Sequence, residues 1–144
     1  DALRSRGFTL SIKKEPFFEE RALKTPEEVA AIRKSQIAVE EAVAEAFDLL
    51  RRAEIKNGQI YLEGKVLTSE SVRSHLHLRM MEKGCIGQHT IIACGVDACD
   101  PHNEGSGPLR ANEPIIFDVF PRSSETRYFA DMSRTVVKDG LPME

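Results

Sequence analysis

The chain has 144 residues, 41% hydrophobic and 30% charged, enough for one globular domain with a core and too apolar for wholesale disorder. Its net charge of -3 and pI near 5.9, with Lys and Arg scattered, leave no basic face to grip a phosphate backbone, so nucleic acid is not an expected partner. No apolar run nears the roughly 20 residues of a membrane span, no leader pattern opens the chain, and three cysteines outside any CxxC spacing fit free thiols, so a soluble cytoplasmic protein is expected.

Residues 8–12 alternate Phe8, Leu10 and Ile12 with polar positions, the period of an edge strand, and a charged connection follows to Lys24. We expect residues 1–24 to be a linker or edge segment from an upstream region. Thr25, Pro26 and Glu28 then mark a helix start: an N-cap, a proline at the first helical position and a capping-box glutamate. Val29, Ile32, Val39, Val43, Ala46, Phe47 and Leu50 recur at helical spacing, interrupted by Gln36, and predict one long amphipathic helix to about Ala53. Asn57, Gly58 and Gly64 punctuate a loop or short hairpin around Ile60. A second helix opens at Thr68, buries Val72, Leu76 and Met80, and ends at Gly84. The apolar run 90–94 reads as a strand, and a long Gly- and Pro-rich loop to Asn112 follows, a length usually kept for function. Two more strands, 115–120 and 128–137, are close enough to pair as an antiparallel hairpin, so the class is α+β with long helices on an antiparallel-rich sheet. The chain starts at Asp1 without a methionine and stops after a turn at Gly140, Leu141 and Pro142, ends expected of a piece of something longer.

Asp118 lies in a run of residues that favour burial, where an ionised carboxylate is costly without a cation or donors. A regular hairpin register places Asp131 directly opposite it, and two facing carboxylates repel unless a divalent cation lies between them. Either aspartate alone is more readily read as a turn cap or as a partner of Arg122, Arg127 or Arg134 than as a metal ligand, and a β-bulge would break the register. His102 sits after Pro101 in the long loop, where it can reach over a cleft or stand in solvent. His89 precedes the strand at Thr90 and is a second imidazole for an active site or a strand-start hydrogen bonder. His75 and His77 are two apart on a helix and point to different faces, so they are poor joint ligands. Cys94, Cys99, His102 and His89 permit a rival structural zinc cluster, although their spacing is not that of a zinc knuckle. The chain carries no GxSxG elbow, phosphate loop or HExxH motif.

Taken together, His89 to Gly95, Asp100-Pro101-His102, Gly105 to Leu109, Pro114 to Asp118 and Asp131 to Val137 resemble the Xaa-Pro peptidase family of aminopeptidase P and prolidase, which shares its pita-bread fold with creatinase. The resemblance implies that residues 25–144 are the N-terminal half of a metallopeptidase catalytic domain. It implies that Asp118 and Asp131 bind metal, with Asp131 bridging two divalent ions, manganese or cobalt and possibly zinc. His102 matches a catalytic and substrate-binding histidine, and His89 a residue near the substrate pocket. The remaining histidine and two glutamates of such a site belong to the second half of the fold. The aspartates are also 13 residues apart, wider than is usual in the family, and Phe120-Pro121 stands where a glycine often follows.

The expected function is thus a fragment of a dinuclear peptidase that cleaves Xaa-Pro bonds, inactive as the isolated chain. Its partner is a peptide with proline near the N-terminus, and the uncovered half-sheet predicts a homo-oligomer or self-association. Two alternatives keep the same fold: a non-catalytic interaction module, and a metal-free creatinase-like hydrolase.

Overall fold

The computed structural model describes residues 2–139, so the expected turn at Gly140, Leu141 and Pro142 lies outside the described residues. The first helix, α1, spans Pro26–Arg52. Its start is built as the sequence predicts: the Thr25 hydroxyl accepts from the Glu28 amide at 3.3 Å and the Glu28 carboxylate accepts from the Thr25 amide at 2.8 Å. The buried stripe is Ser35, Ala38, Val39, Ala42, Val43, Ala46 and Leu50. Val29, expected in that stripe, is exposed, because the first turns of α1 run past the edge of the core.

Upstream of α1 the expected edge strand does not form. Residues 8–12 join no ladder, and Phe8 and Ile12 are exposed. Alternation alone does not make a strand when no partner edge lies beside it.

After α1 the chain forms a three-stranded meander of β1 (Glu54–Lys56), β2 (Gln59–Leu62) and β3 (Lys65–Val66). Its two-residue turns, Asn57-Gly58 and Glu63-Gly64, hold all four residues at positive φ, the twist that suits tight hairpins. Helix α2 (Ser69–Glu82) is capped by Thr68 with Ser71 and buries Val72, Leu76 and Met80. The remaining strands are β4 (Cys85–Ile86), β5 (Ile91–Cys94), β6 (Pro114–Val119), β7 (Arg122–Ser123) and β8 (Met132–Val137). The short β4 and β7 pair with each other, a contact with no sequence signature at two residues apiece.

The functional framework is the antiparallel sheet ordered β5-β6-β8. Along β6, Ile115, Phe117 and Val119 are buried on the face toward α1, while Ile116 and Asp118 occupy the other face. The Phe117 ring meets Phe47 of α1 edge-to-face at 5.2 Å, which anchors the helix to the sheet. Each fully buried side chain of this layer contributes roughly 1.5–3 kcal/mol of hydrophobic stabilisation. No helix among the described residues is long and apolar enough to cross a membrane.

Candidate functional site

Strand pairing determines which side chains share the face opposite α1. Ile91, Asp118 and Ser133 form one cross-strand row, and Ala93, Ile116 and Thr135 form the next. These rows are the floor of a cleft of about 390 Å³, roofed by Cys99, Asp100 and Pro101 from the 3-10 turn after β5. The floor is apolar at Ile91, Ala93 and Ile116 and polar at Asp118, Ser133 and Thr135, with Arg134 also lining the cleft. Asp118 is half-buried, and its Oδ1 accepts a hydrogen bond from the Ser133 hydroxyl at 2.5 Å.

The register corrects the sequence expectation for the aspartate pair. Asp118 faces Ser133 and not Asp131, and Val119 faces Met132. The same register continues beyond β6, through the Ala130 amide to Pro121 carbonyl bond at 3.0 Å and the Arg122–Phe129 bridge. Asp131 thus stands opposite Phe120. The cause lies at the hairpin tip: the Ser123 amide bonds to the Tyr128 carbonyl and the Arg127 amide to the Ser123 carbonyl, with Arg127 left-handed at φ 66°. This moves the tip one residue toward the C-terminus, so every partner shifts by two. A two-residue shift preserves the face, and Asp131 remains on the same side of the ladder as Asp118, as a diagonal neighbour.

The hairpin tip is in turn tied to α1. Ser35 Oγ donates to the Tyr128 carbonyl at 3.1 Å, Tyr128 donates its hydroxyl to Glu28, and Lys34 pairs with Glu125 at 2.9 Å. The Tyr128 hydroxyl, ahead of the Thr25 amide, holds the Glu28 carboxyl below its ordinary range.

His102 is exposed beside Pro101, and its amide is held by Asp100 Oδ1 at 2.9 Å, which fixes the turn that presents it. His89 is exposed, left-handed at φ 53°, and donates Nδ1–H to Glu104 at 2.9 Å. Neither imidazole forms a wall of the cleft. The rival zinc cluster is not assembled. Cys94 pairs with Ile115 on the core face, where its Sγ takes the Arg110 amide at 3.3 Å, while Cys99 lies over the opposite face.

Sequence reading missed the role of one face of α2. Glu70, Arg73 and His77 recur at helical spacing beside the buried stripe, and each holds a segment next to the cleft. Glu70 accepts the Gly107 amide at 3.0 Å, and His77 Nε2 lies 3.0 Å from the hydroxyl of buried Thr90. The three- and four-residue steps were visible in the sequence. Their partners were not, because they are backbone groups and the Thr90 hydroxyl, all more than a dozen residues away.

The donor chemistry bears on whether a metal fits. Asp118 and Asp131 offer hard oxygen ligands on one face, the type a divalent cation takes. Among the described residues, however, no group of three His, Cys, Asp or Glu side chains converges as a metal shell. The described residues therefore fit part of such a shell.

The two helices and the antiparallel sheet are those of the first half of a pita-bread fold. The chain belongs to metallopeptidase family M24, whose sequence model matches residues 30–142. Similar solved structures include a prolidase from Pyrococcus furiosus, at 25% identity and a TM-score of 0.68, covering 88% of this chain and 34% of that one. An X-Pro aminopeptidase from Thermotoga maritima matches at 22% identity and a TM-score of 0.64 over 83% of this chain and 30% of that one. The dipeptidase PepE from Mycobacterium ulcerans matches at 20% identity and a TM-score of 0.63 over 81% and 28%. The chain spans about a third of the length of these proteins or less. No curated protein matches it in sequence.

Proposed function

We propose that residues 25–144 are the N-terminal half of the catalytic domain of a cytoplasmic, divalent-metal-dependent peptidase that cleaves Xaa-Pro bonds, with residues 1–24 leading in from an upstream region. The observation that carries the reading is the placement of Asp118 and Asp131 on one face of the β6–β8 ladder, with Asp118 set into the floor of the cleft. In this reading the two aspartates are ligands for two divalent ions, manganese, cobalt or zinc, which when bound supply a water of lowered pKa and polarise the scissile carbonyl.

The chain's own residues orient and enclose. Ser133 occupies one oxygen of Asp118 and leaves Oδ2 as the free ligand. The floor of Ile91, Ala93 and Ile116 offers an apolar bed for a small ring such as proline. His102, held by its turn at the edge of the roof, is the candidate to meet the substrate carbonyl, and His89, earlier in the chain and bonded to Glu104, is a second contact.

Two carboxylates do not close a coordination shell, so the 144 residues alone are proposed to bind metal weakly and to be inactive. The test is the full-length protein loaded with manganese and offered paired peptides that differ only in Xaa-Pro against Xaa-Ala. Cleavage confined to Xaa-Pro and abolished by Asp118→Asn is expected. Equal cleavage of both peptides, or activity that survives Asp118→Asn, would refute the reading.

A further inference from the structure

We propose that Arg73 is a positioning residue that sets the roof of the cleft, and with it His102, by clamping both ends of the segment 90–105. One guanidinium nitrogen donates to the Thr90 carbonyl at 3.3 Å and also to the Glu104 carbonyl, and the other donates to the Gly105 carbonyl at 3.2 Å. Thr90 precedes β5, while Glu104 and Gly105 follow the Pro101-His102 turn. One side chain of α2 therefore closes the neck of a loop whose far end roofs the cleft.

The neck is tight. The Ile92 amide donates to the Glu104 carbonyl at 3.0 Å, and a Cβ built on Gly105 would lie 1.9 Å from the Ile92 carbonyl oxygen. Gly105, at φ +79°, is therefore pressed against β5 at the point where Arg73 holds it. Glu70 and His77 flank Arg73 on the same helix face and hold Gly107 and Thr90, so α2 grips the neck with acceptor, donor and ring nitrogen in series. Only a planar guanidinium presents several donors in a fixed fork, and a lysine ammonium at the end of a flexible stem cannot span three carbonyls on two segments. Charge-assisted bonds to backbone carbonyls are also stronger than neutral ones.

The inference takes the cleft to be the catalytic face, and so rests on the proposed function, but its test uses neither metal nor substrate. Cys99 is exposed within the roof, while Cys85 and Cys94 are buried, so a nitroxide reacts at the place of interest. A second nitroxide at exposed Ala44→Cys of α1 gives a distance across the sheet by pulsed electron resonance. A control pair, Ala44→Cys with Lys65→Cys in a Cys99→Ser background, reports the rest of the fold.

We expect a narrow Cys99 distribution in the parent chain. Arg73→Lys should broaden it, and Arg73→Gln should broaden it further, by about twofold, with the control pair unchanged. An unchanged Cys99 distribution in both variants would overturn the proposal. Equal broadening of both label pairs would overturn it too, by showing general loosening in place of positioning. Arg73→Lys keeps the charge and the stem, and so remains measurable if Arg73→Gln does not fold. A chain that binds no metal would undercut the peptidase reading and leave this result intact.

Discussion

Ser133 faces Asp118 across the β6–β8 ladder and donates its hydroxyl to Asp118 Oδ1 at 2.5 Å, while Asp131 stands two residues farther along the same face. Disulfide trapping reads this register directly. Directly opposed residues lie about 4.5–5.5 Å apart at Cα, within reach of a disulfide, and diagonal ones about 7–8 Å, beyond it. Asp118→Cys with Ser133→Cys should oxidise to a cross-link, and Asp118→Cys with Asp131→Cys should not. Efficient cross-linking of the second pair alone would restore the facing aspartates expected from sequence.

The core that carries this face centres on Phe117 and its edge-to-face contact with Phe47. Phe117 is fully buried, so Phe117→Ala should cost about 3–5 kcal/mol, read from urea denaturation. A loss below about 1 kcal/mol would mean that α1 does not pack on the sheet as described.

Gly105→Ala probes the neck of the loop. The new methyl would strike the Ile92 carbonyl in a left-handed backbone position, so the variant should lose more than about 1 kcal/mol of stability. Gly64→Ala, also left-handed but with nothing within 4 Å, should lose less. Equal losses would argue against close packing of the neck.

Much of this architecture was legible in the chain. Thr25, Pro26 and Glu28 announced α1 because capping is a local interaction between residues three apart. Val72, Leu76 and Met80 announced α2 because period and burial coincide there. The register of the hairpin was not legible, because it depends on Arg127 adopting a left-handed conformation at the tip, a choice open to several loop residues. The common face of Asp118 and Asp131 followed from the expected hairpin register, because its error of two residues preserves the face. The grip of Arg73 could not be read, since its partners are carbonyls that the fold alone brings together.

Stability should also depend on pH through His77. Burial, followed by the nearby positive charge of Arg73, pushes its imidazole below the ordinary 6.5. The unfolded chain then takes up the proton first as pH falls, so the stability linked to His77 is complete above about 6.5 and is lost as pH drops through the lower folded-state value. His75, lowered by burial first, adds to the same slope. Denaturation midpoints should fall on acidification from pH 7, and His77→Gln should flatten part of that fall. An identical slope in the variant would remove His77 from the account.

Within the described residues β8 is an edge strand and several apolar side chains are exposed, so we expect the isolated chain to self-associate. Phe129 and Val137 are both exposed on the hairpin that contains this edge. Sedimentation should show a mass that rises with concentration, and Val137→Lys should reduce the rise. A concentration-independent monomer would contradict self-association.

We propose that Asp118 and Asp131 act together as metal ligands. Titration of the chain with manganese, followed by the loss of the free-ion electron resonance signal, tests it most directly. Weak binding, near the millimolar range, should fall about tenfold in either Asp118→Asn or Asp131→Asn and disappear in the double variant. Binding of unchanged strength in the double variant would contradict the claim.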